Sequence, residues 1–218
     1  MHDLQLLISK IHTSFVALSE TWVNQDNDNL LQLCGYKTVY ESRKDRIGGC
    51  VATMVREGII FHTLNLGMEI KHTTYEGLFV NVPQERSIDL VIGVIYRLPG
   101  QSLLDFNCEI GELFPLLKKC KRRVILIGDF NIDLLKLREH GPTQSFFNLL
   151  AADYCAPAIT CPTRITDTSA TLIDSIYTHF IQDIIEPSVI ISDLSDHFPV
   201  MAWFGKMESK ITKSEIKN

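Results

Sequence analysis

The 218-residue chain lacks the features that mark several large protein classes. Its six cysteines include no C-x-x-C pair, which argues against a zinc site or a disulfide framework. It has no N-x-[ST] sequon, no apolar run long enough to span a bilayer, and no signal peptide, since Asp3 and Gln5 interrupt the start. We therefore expect reduced, mostly buried thiols in an intracellular protein, nuclear or cytoplasmic, with no membrane partner.

The chain also lacks an excess of positive charge. Its formal net charge is -5 at pH 7, which argues against a generally basic nucleic-acid binder, because phosphate affinity comes from Lys and Arg. An acidic enzyme site can still act on a phosphate group if a divalent metal supplies the positive charge locally. Gly48 and Gly49 lack the G-x-x-x-x-G-K-[ST] context of a nucleotide-binding loop, so we interpret them as a turn into a strand.

Length and hydrophobic content favour a globular domain, since 45% of the residues are hydrophobic. We predict one domain over residues 1–205 and a flexible basic tail at 206–218 that lacks aromatic residues. Helical spacing predicts helices at Leu4–Ile11, Leu103–Lys119 and Thr143–Ala152. Apolar and alternating runs predict strands at Phe15–Leu18, Tyr36–Tyr40, Cys50–Val55, Ile59–Leu64, Tyr75–Val82, Ile88–Tyr96, Val124–Ile127, Thr171–Tyr177, Ile184–Ile191 and Met201–Phe204.

Polar residues follow two of the predicted strands at the point where each strand ends. Asp129 and Asn131 come after the buried run Val124–Ile127, and a carboxylate beside a carboxamide can hold and polarise a water molecule. If the extended conformation continues, both side chains leave the same face. The alternative is an ordinary turn, since Gly, Asp and Asn are all turn formers. Glu20 follows the strand Phe15–Leu18 in the same way, although a Glu there is usually a solvated cap.

A second group of candidates combines carboxylates with a histidine. The adjacent Asp196 and His197 point to opposite sides of an extended backbone, so one could meet a metal and the other a substrate. Asp174 stands inside a predicted strand, where a buried carboxylate is costly unless it is paired. It could hold the His197 imidazole in one tautomer and keep it protonated. Tyr96 and Arg97 could bind phosphate at a turn, although such a pair is more often structural.

Five short motifs stand in a fixed order along the chain. They are Leu18-Ser19-Glu20-Thr21-Trp22, Tyr96-Arg97 before a Pro, Gly128-Asp129-Phe130-Asn131-Ile132-Asp133, Thr171-Leu172-Ile173-Asp174, and Ser195-Asp196-His197-Phe198-Pro199-Val200. This order resembles that of the endonuclease/exonuclease/phosphatase superfamily, in particular the apurinic-type endonuclease domain of non-LTR (LINE-like) retrotransposons. The resemblance covers the chain from Leu4 to Phe204.

The resemblance implies a four-layer α/β sandwich, in which two packed mixed β-sheets are flanked by helices. It also implies cleavage of a DNA phosphodiester by an in-line water, with Mg²⁺ or Mn²⁺ as cofactor and DNA as partner. Glu20 looks like a metal ligand, and Asp196 is similar to a second acidic group near the metal. Asp129 and Asn131 look like the pair that orients and deprotonates the attacking water.

The remaining positions of the resemblance concern the phosphate and the DNA. His197, oriented by Asp174, is similar to the histidine that contacts the scissile phosphate and stabilises its developing charge. Tyr96 looks like a phosphate ligand. Weaker candidates for DNA contacts are Arg97, Thr163 and Arg164.

One departure from the superfamily leaves the function open. Its members begin with a strand that carries an Asn of the metal and water network, and here no Asn precedes Asn24. We therefore expect the first strand to be missing, with an unpaired strand edge exposed in its place. The reverse transcriptase domain expected in a full-length element is also absent.

Three functions stay open on the sequence alone. The first is a metal-dependent endonuclease weakened by the missing strand. The second is a nuclease-like remnant or binding module without catalysis. The third is a phosphatase acting on a phospholipid or a nucleotide, which the GDFNID motif and the short loops disfavour.

Overall fold

The structure, a computed structural model, describes residues 2–22, 31–41, 49–66, 74–85, 87–119 and 122–205, so the predicted tail at 206–218 lies outside it. Its helices are α1 (His2–Ile11), α2 (Leu103–Lys119) and α3 (Gly141–Ala152). Its strands are β1 (Phe15–Leu18), β2 (Tyr36–Glu41), β3 (Val51–Arg56), β4 (His62–Thr63), β5 (Tyr75–Val82), β6 (Leu90–Arg97), β7 (Arg123–Asp129), β8 (Ala156–Pro157), β9 (Arg164–Ile165), β10 (Ala170–Thr171), β11 (Asp174–Thr178), β12 (Ile184–Val189) and β13 (Val200–Phe204). Among the described residues, no helix combines the length and the apolar character that a membrane crossing requires.

Six strands form a mixed sheet in the order β4-β5-β6-β7-β11-β8, which we call the large sheet. β6 and β7 run parallel, and the other neighbouring strands pair antiparallel. Every residue of β5 and β6 is buried, as expected for apolar strands that are covered on both faces. The parallel pair needs a crossover connection, and α2 supplies it.

Helices and strands cover opposite faces of the large sheet. Phe106 of α2 and Phe146 of α3 pack in one cluster with Tyr177 of β11. The other face carries the small sheet, β1-β3-β2, and the β12–β13 ribbon, which bury Val55 and Phe204 against it. α1 packs on the outer side of the small sheet. The predicted four-layer α/β sandwich is confirmed.

β1 lies at an edge of the small sheet. It pairs antiparallel with β3 from Phe15 to Leu18. On its other side it pairs with no strand within the residues that the structure describes. An unpaired strand edge is what the sequence analysis expects in this region of the fold.

Two predicted strands differ from the structure by more than two residues at an end or by a break. In place of Ile59–Leu64 the structure has β4 alone, because Gly58 adopts a φ of 90° and the Ile59 amide closes a turn on the Arg56 carbonyl. The predicted strand Thr171–Tyr177 is divided into β10 and β11, so Asp174 begins a strand instead of lying inside one.

The break between β10 and β11 has a hydrogen-bonding cause. The Leu172 amide donates to the Asp133 carboxylate at 3.1 Å, and the Ile173 amide donates to the Thr163 hydroxyl at 3.3 Å. Side chains therefore satisfy two backbone donors that a continuous ladder would have used.

The expectation that the cysteines are mostly buried is wrong for the described residues. Cys50 and Cys155 are buried, whereas Cys34, Cys108 and Cys161 are exposed. Cys34 and Cys161 lie in loops between strands, and Cys108 lies on the solvent side of α2, so none of the three faces a core.

Candidate active site

Strand register places ionisable residues of the large sheet side by side. Glu76 of β5 pairs with Tyr96 of β6, Tyr96 pairs with Asp129 of β7, and Asp129 pairs with Asp174 of β11. Directly paired residues project from the same face of a sheet. These residues therefore form one line, which we call the acidic row. It lies on the face that meets the small sheet, because Tyr96 packs there with Val51 of β3.

Asp129 and Asn131 meet across a turn. The sequence left an extended chain and a turn open here, and the structure has the turn, in which Asn131 has a φ of 48°, in the left-handed region that Asn tolerates well. Its backbone amide donates to Asp129 Oδ1 at 2.8 Å, and its side-chain Nδ2 donates to Oδ2 at 3.2 Å. Just before them, Gly128 has a φ of 147°, and a Cβ there would overlap the Ile95 carbonyl of β6. The glycine thus lets β7 approach β6 and places the carboxylate at the strand end.

Arg97 forms hydrogen bonds with the turn that contains Asn131. Its guanidinium donates to the Asn131 carbonyl at 3.1 Å, and Asn131 Nδ2 donates to the Arg97 carbonyl at 2.7 Å. A second guanidinium nitrogen donates to the Gln101 carbonyl. The residue is only 7% exposed, and burial lowers the pKa of Arg97. A contact between Arg97 and DNA stays a prediction, whereas its hydrogen bonds to the turn are present.

His197 and Asp174 form the predicted hydrogen bond, which is confirmed. His197 Nδ1 lies 2.9 Å from Asp174 Oδ2 and 3.2 Å from Oδ1. This bond raises the pKa of His197 above its usual 6.5, because the carboxylate stabilises the protonated ring. With Nδ1 turned to Asp174, Nε2 is the nitrogen that can meet a substrate.

Thr163 completes this pair from a fully buried position. Its hydroxyl donates to Asp174 Oδ2 at 2.7 Å, and its carbonyl accepts the Phe198 amide at 2.7 Å. An isolated β-bridge joins Arg164 to His197 beside it. Thr163 was predicted to contact DNA, and that contact stays a prediction. The structure gives it a supporting place, behind the carboxylate that holds His197.

Glu20 reaches the acidic row from the small sheet. The Tyr96 hydroxyl donates to the Glu20 carboxylate. Burial raises the pKa of Tyr96, and the hydrogen bond to Glu20 raises it further, so the phenol stays a donor. Glu20 has a φ of 52°, and the following Thr21 amide donates to the Cys50 carbonyl at 3.1 Å. This turn brings the end of β1 against the end of β6.

Asp196 and Arg164 form an ion pair at the surface. Arg164 donates to Asp196 Oδ2 through two nitrogens, at 2.6 and 2.9 Å. This hydrogen bonding lowers the pKa of Asp196, so the carboxylate stays ionised. In this structure Glu20 accepts a hydrogen bond from Tyr96, and Asp196 is paired with Arg164. That Glu20 and Asp196 approach a shared metal therefore stays a prediction.

The negatively charged carboxylates of the acidic row repel one another. Burial, followed by the charge of Asp174, raises the pKa of Asp129 to about 7, and Glu20 adds to the rise. A bound cation would relieve this repulsion, and oxygen-rich donor sets are those that Mg²⁺ takes. Within the described part of the chain, Asp129, Asp174 and His197 bring ligand atoms within 4.8 Å of one another. The carboxylate oxygens of this group therefore fit a hard divalent cation, whereas His197 Nδ1 is turned to Asp174 and is not counted as a ligand.

Two residues with supporting roles were not found by sequence reasoning. Glu76 of the acidic row is 2% exposed in an apolar strand, which is the signal that did identify Asp174. Asp133 accepts the amides of Leu135 and Leu172, both at 3.1 Å, and so ties the turn after β7 to the start of β11. Nothing local distinguishes Asp133 from an ordinary turn former.

The chain resembles known proteins in its structure, whereas its sequence matches none of the family models or curated proteins. No protein-family model and no curated protein match the sequence. The catalytic domain of Xenopus laevis APE2 superposes with a TM-score of 0.74 at 14% identity, over 96% of this chain and 88% of that one. The endonuclease domain of TRAS1, a telomere-specific non-LTR retrotransposon, gives 0.72 at 12%, over 94% and 92%. A 3'-5' exonuclease (NExo) from Neisseria meningitidis gives 0.69 at 18%, over 93% of each chain. This chain has the endonuclease/exonuclease/phosphatase fold.

Proposed function

We propose that this protein is a divalent-metal-dependent endonuclease of retrotransposon type that hydrolyses phosphodiester bonds in DNA. The observation that carries the proposal is the convergence of three pairs at one end of the large sheet: Asp129 with Asn131, His197 with Asp174, and Glu20 with Tyr96. The fold supports it, since the similar structures include nucleases by name, among them a retrotransposon endonuclease domain.

Asp129 is placed to take a proton from a water molecule. In the metal-free protein, burial and the charge of Asp174 raise the pKa of Asp129 to about 7, so the carboxylate has useful proton affinity at neutral pH. Both carboxylate oxygens accept hydrogen bonds from Asn131, which hold the group in one orientation. In this proposal Asn131 and Asp129 together direct the attacking water at the phosphorus.

His197 is placed to meet the phosphate. The hydrogen bond to Asp174 raises the pKa of His197 above its usual 6.5 and so favours the protonated ring. A protonated Nε2 would donate to a phosphate oxygen and oppose the charge that develops there. Tyr96 is a second candidate for a phosphate contact, although its single hydroxyl proton is donated to the Glu20 carboxylate in this structure.

Glu20 would hold the metal ion, Mg²⁺ or Mn²⁺, with Asp196 as a second acidic group near it. When bound, the ion would polarise a phosphoryl oxygen and supply positive charge to a chain whose formal net charge is -5. Tyr96 keeps the Glu20 carboxylate against the acidic row through its hydroxyl. The role of the chain's own residues is thus to orient water, phosphate and cation together.

Nicking of supercoiled plasmid tests the proposal. We expect Mg²⁺-dependent conversion to the open circle, abolished by EDTA and lowered about a hundredfold or more by His197→Ala. His140→Ala is a matched control, because His140 also engages its Nδ1, on Thr143 at 2.9 Å, but at the start of α3. A folded chain that binds DNA without nicking it would contradict the proposal and favour a binding module.

A further inference from the structure

One carboxylate of the acidic row has no part in the chemistry proposed above. Glu76 is 2% exposed and pairs in register with Tyr96. We infer that Glu76 is a positioning residue that sets the place of Glu20 through the backbone of Gly49 and Cys50. This inference rests on the proposed function only in treating Glu20 as a metal ligand. The contacts between Glu76 and the turn after Glu20 are independent of that function.

The first contact joins Glu76 to the chain before β3. Its Oε2 accepts the Cys50 backbone amide, a charge-assisted bond that a carboxylate in an apolar strand needs. Cys50 has a φ of 76° and Gly49 a φ of 83°. A Cβ on Gly49 would overlap the Glu76 carboxylate, so the glycine lets the backbone lie directly on that side chain.

The second contact joins this backbone to the residues after Glu20. The Cys50 carbonyl accepts the Thr21 amide at 3.1 Å, and the Gly49 carbonyl accepts the Trp22 amide at 2.9 Å. The two residues that lie on Glu76 therefore hold the two residues that follow Glu20.

The conformation held in this way is one that the chain does not adopt readily. Glu20 and Trp22 have φ values of 52° and 54°, and side-chain-bearing residues keep such values only where their surroundings impose them. If Gly49 and Cys50 shift, the Thr21 and Trp22 amides lose their acceptors, and the Glu20 carboxylate is no longer held in one orientation. Glu76 also acts on the other partner of Glu20, since its charge helps to raise the pKa of Tyr96.

Three variants separate positioning from general packing. Glu76→Ala removes the acceptor of the Cys50 amide, and Glu76→Gln keeps an acceptor of the same length without the charge. Asp89→Ala is the matched control, because Asp89 accepts the Gln84 amide at 3.3 Å at the opposite end of the same hairpin. Circular dichroism and urea unfolding establish that each variant is folded before comparison.

The first measurement is hydrogen exchange of the Thr21 and Trp22 amides in the metal-free protein. We expect exchange in Glu76→Ala to be faster by roughly tenfold or more, because the Cys50 amide has lost its acceptor and the carbonyls that hold the Thr21 and Trp22 amides can then shift. Glu76→Gln and Asp89→Ala should exchange these amides as the wild type does. This measurement needs neither metal nor DNA, so its outcome is independent of the proposed function.

The second measurement is the binding of Mn²⁺, followed by the electron paramagnetic resonance signal of the free ion. The part of the Mn²⁺ binding that is lost in Glu20→Gln, which we call the Glu20-dependent component, identifies the ion held by Glu20. We expect Glu76→Ala to weaken that component about tenfold to a hundredfold, as the loss of a group behind a ligand does, and Glu76→Gln to stay within about threefold of wild type.

Each contrary result has a distinct meaning. Wild-type exchange at Thr21 and Trp22 in Glu76→Ala, or equal acceleration in Asp89→Ala, would overturn the inference. Loss of the Mn²⁺ component in Glu76→Gln as well would overturn it in favour of a role through charge. If wild type shows no component that depends on Glu20, the metal part of the proposed function fails, while the exchange data still decide whether Glu76 positions the turn.

Discussion

Replacing Asp129 by Asn is expected to stabilise the metal-free protein at pH 8 while removing its nicking activity. Asp129 is 4% exposed, and burial followed by the charge of Asp174 raises its pKa from 3.8 to about 7. The folded protein therefore binds this proton more tightly than the unfolded chain does. Stability declines as the pH rises from 3.8 to about 7, and the full penalty is present above that range.

The size of the effect follows from the width of this interval. Roughly three pKa units correspond to about 4 kcal/mol, at about 1.36 kcal/mol per unit. An Asn at position 129 would still accept the Asn131 backbone amide, but its own amide would face Asn131 Nδ2, which costs about 1 kcal/mol. Asp129 carries only part of this penalty, because the repulsion by the Asp174 charge that contributes to the shift acts on both carboxylates. We therefore expect a net gain of about 2 kcal/mol at pH 8 and little difference near pH 4.

His197 causes a second decline of stability with rising pH, and Asp129→Asn keeps this decline. The hydrogen bond to Asp174 raises the pKa of His197 above 6.5, so its stabilisation is complete below pH 6.5 and is lost as the pH passes its folded value. Both wild type and Asp129→Asn should therefore still lose stability above pH 6.5. The variant differs by lacking the decline between pH 4 and 7.

The assay is urea unfolding in EDTA at pH 4, 6 and 8, followed by circular dichroism. Asp89→Asn serves as the control, since its carboxylate accepts hydrogen bonds at the far end of the β5–β6 hairpin. Adding Mg²⁺ should narrow the gap between wild type and Asp129→Asn, because a bound cation relieves the repulsion in the wild type alone. A variant less stable than wild type at pH 8, or a stability difference that does not change with pH, would contradict this prediction.

Three further substitutions test separate parts of the structure. Asp174→Asn should lower the nicking rate about a hundredfold, because His197 loses the carboxylate that orients it and keeps it protonated; a rate within threefold of wild type would contradict this. Tyr96→Phe removes the hydroxyl that donates to Glu20, so the Mg²⁺ concentration for half-maximal nicking should rise about tenfold, whereas an unchanged metal dependence would count against the contact. Gly128→Ala places a Cβ against the β6 backbone at a φ of 147°, and urea unfolding should show a loss of about 3 kcal/mol or more; unchanged stability would show that β6 and β7 can separate there.

The layers of the fold could be predicted because they depend on patterns within single segments. The apolar spacing of Leu103–Lys119 predicts a helix with the observed bounds, and the run Tyr75–Val82 predicts β5. Short apolar runs bounded by turn residues favour strands covered on both faces. The four-layer sandwich itself is what the resemblance carried by the motif order implies.

The contacts inside the site could not be predicted in the same way, because their partners are far apart in the chain. The hydroxyl of Tyr96 meets Glu20 across 76 positions, and Thr163 meets Asp174 only because the chain between them folds back through β9 and β10. The bond between His197 and Asp174 was predictable, since a buried carboxylate must have a partner and a histidine was the best one available.

Register explains why so many of these partners meet at one place. Side chains alternate between the two faces of a strand, so a slip of one residue between β6 and β7 would turn Asp129 to the helix side and place Phe130 in the acidic row. Gly128 opposes such a slip, because the position beside the Ile95 carbonyl has no room for a Cβ and a shifted register would put a larger residue there. The acidic row therefore depends on a glycine that has no side chain to take part in the chemistry. Substitutions at Gly128 should remove the hydrogen bond between Tyr96 and Glu20 even in molecules that stay folded, and the Mg²⁺ concentration for half-maximal nicking should then rise as it does in Tyr96→Phe.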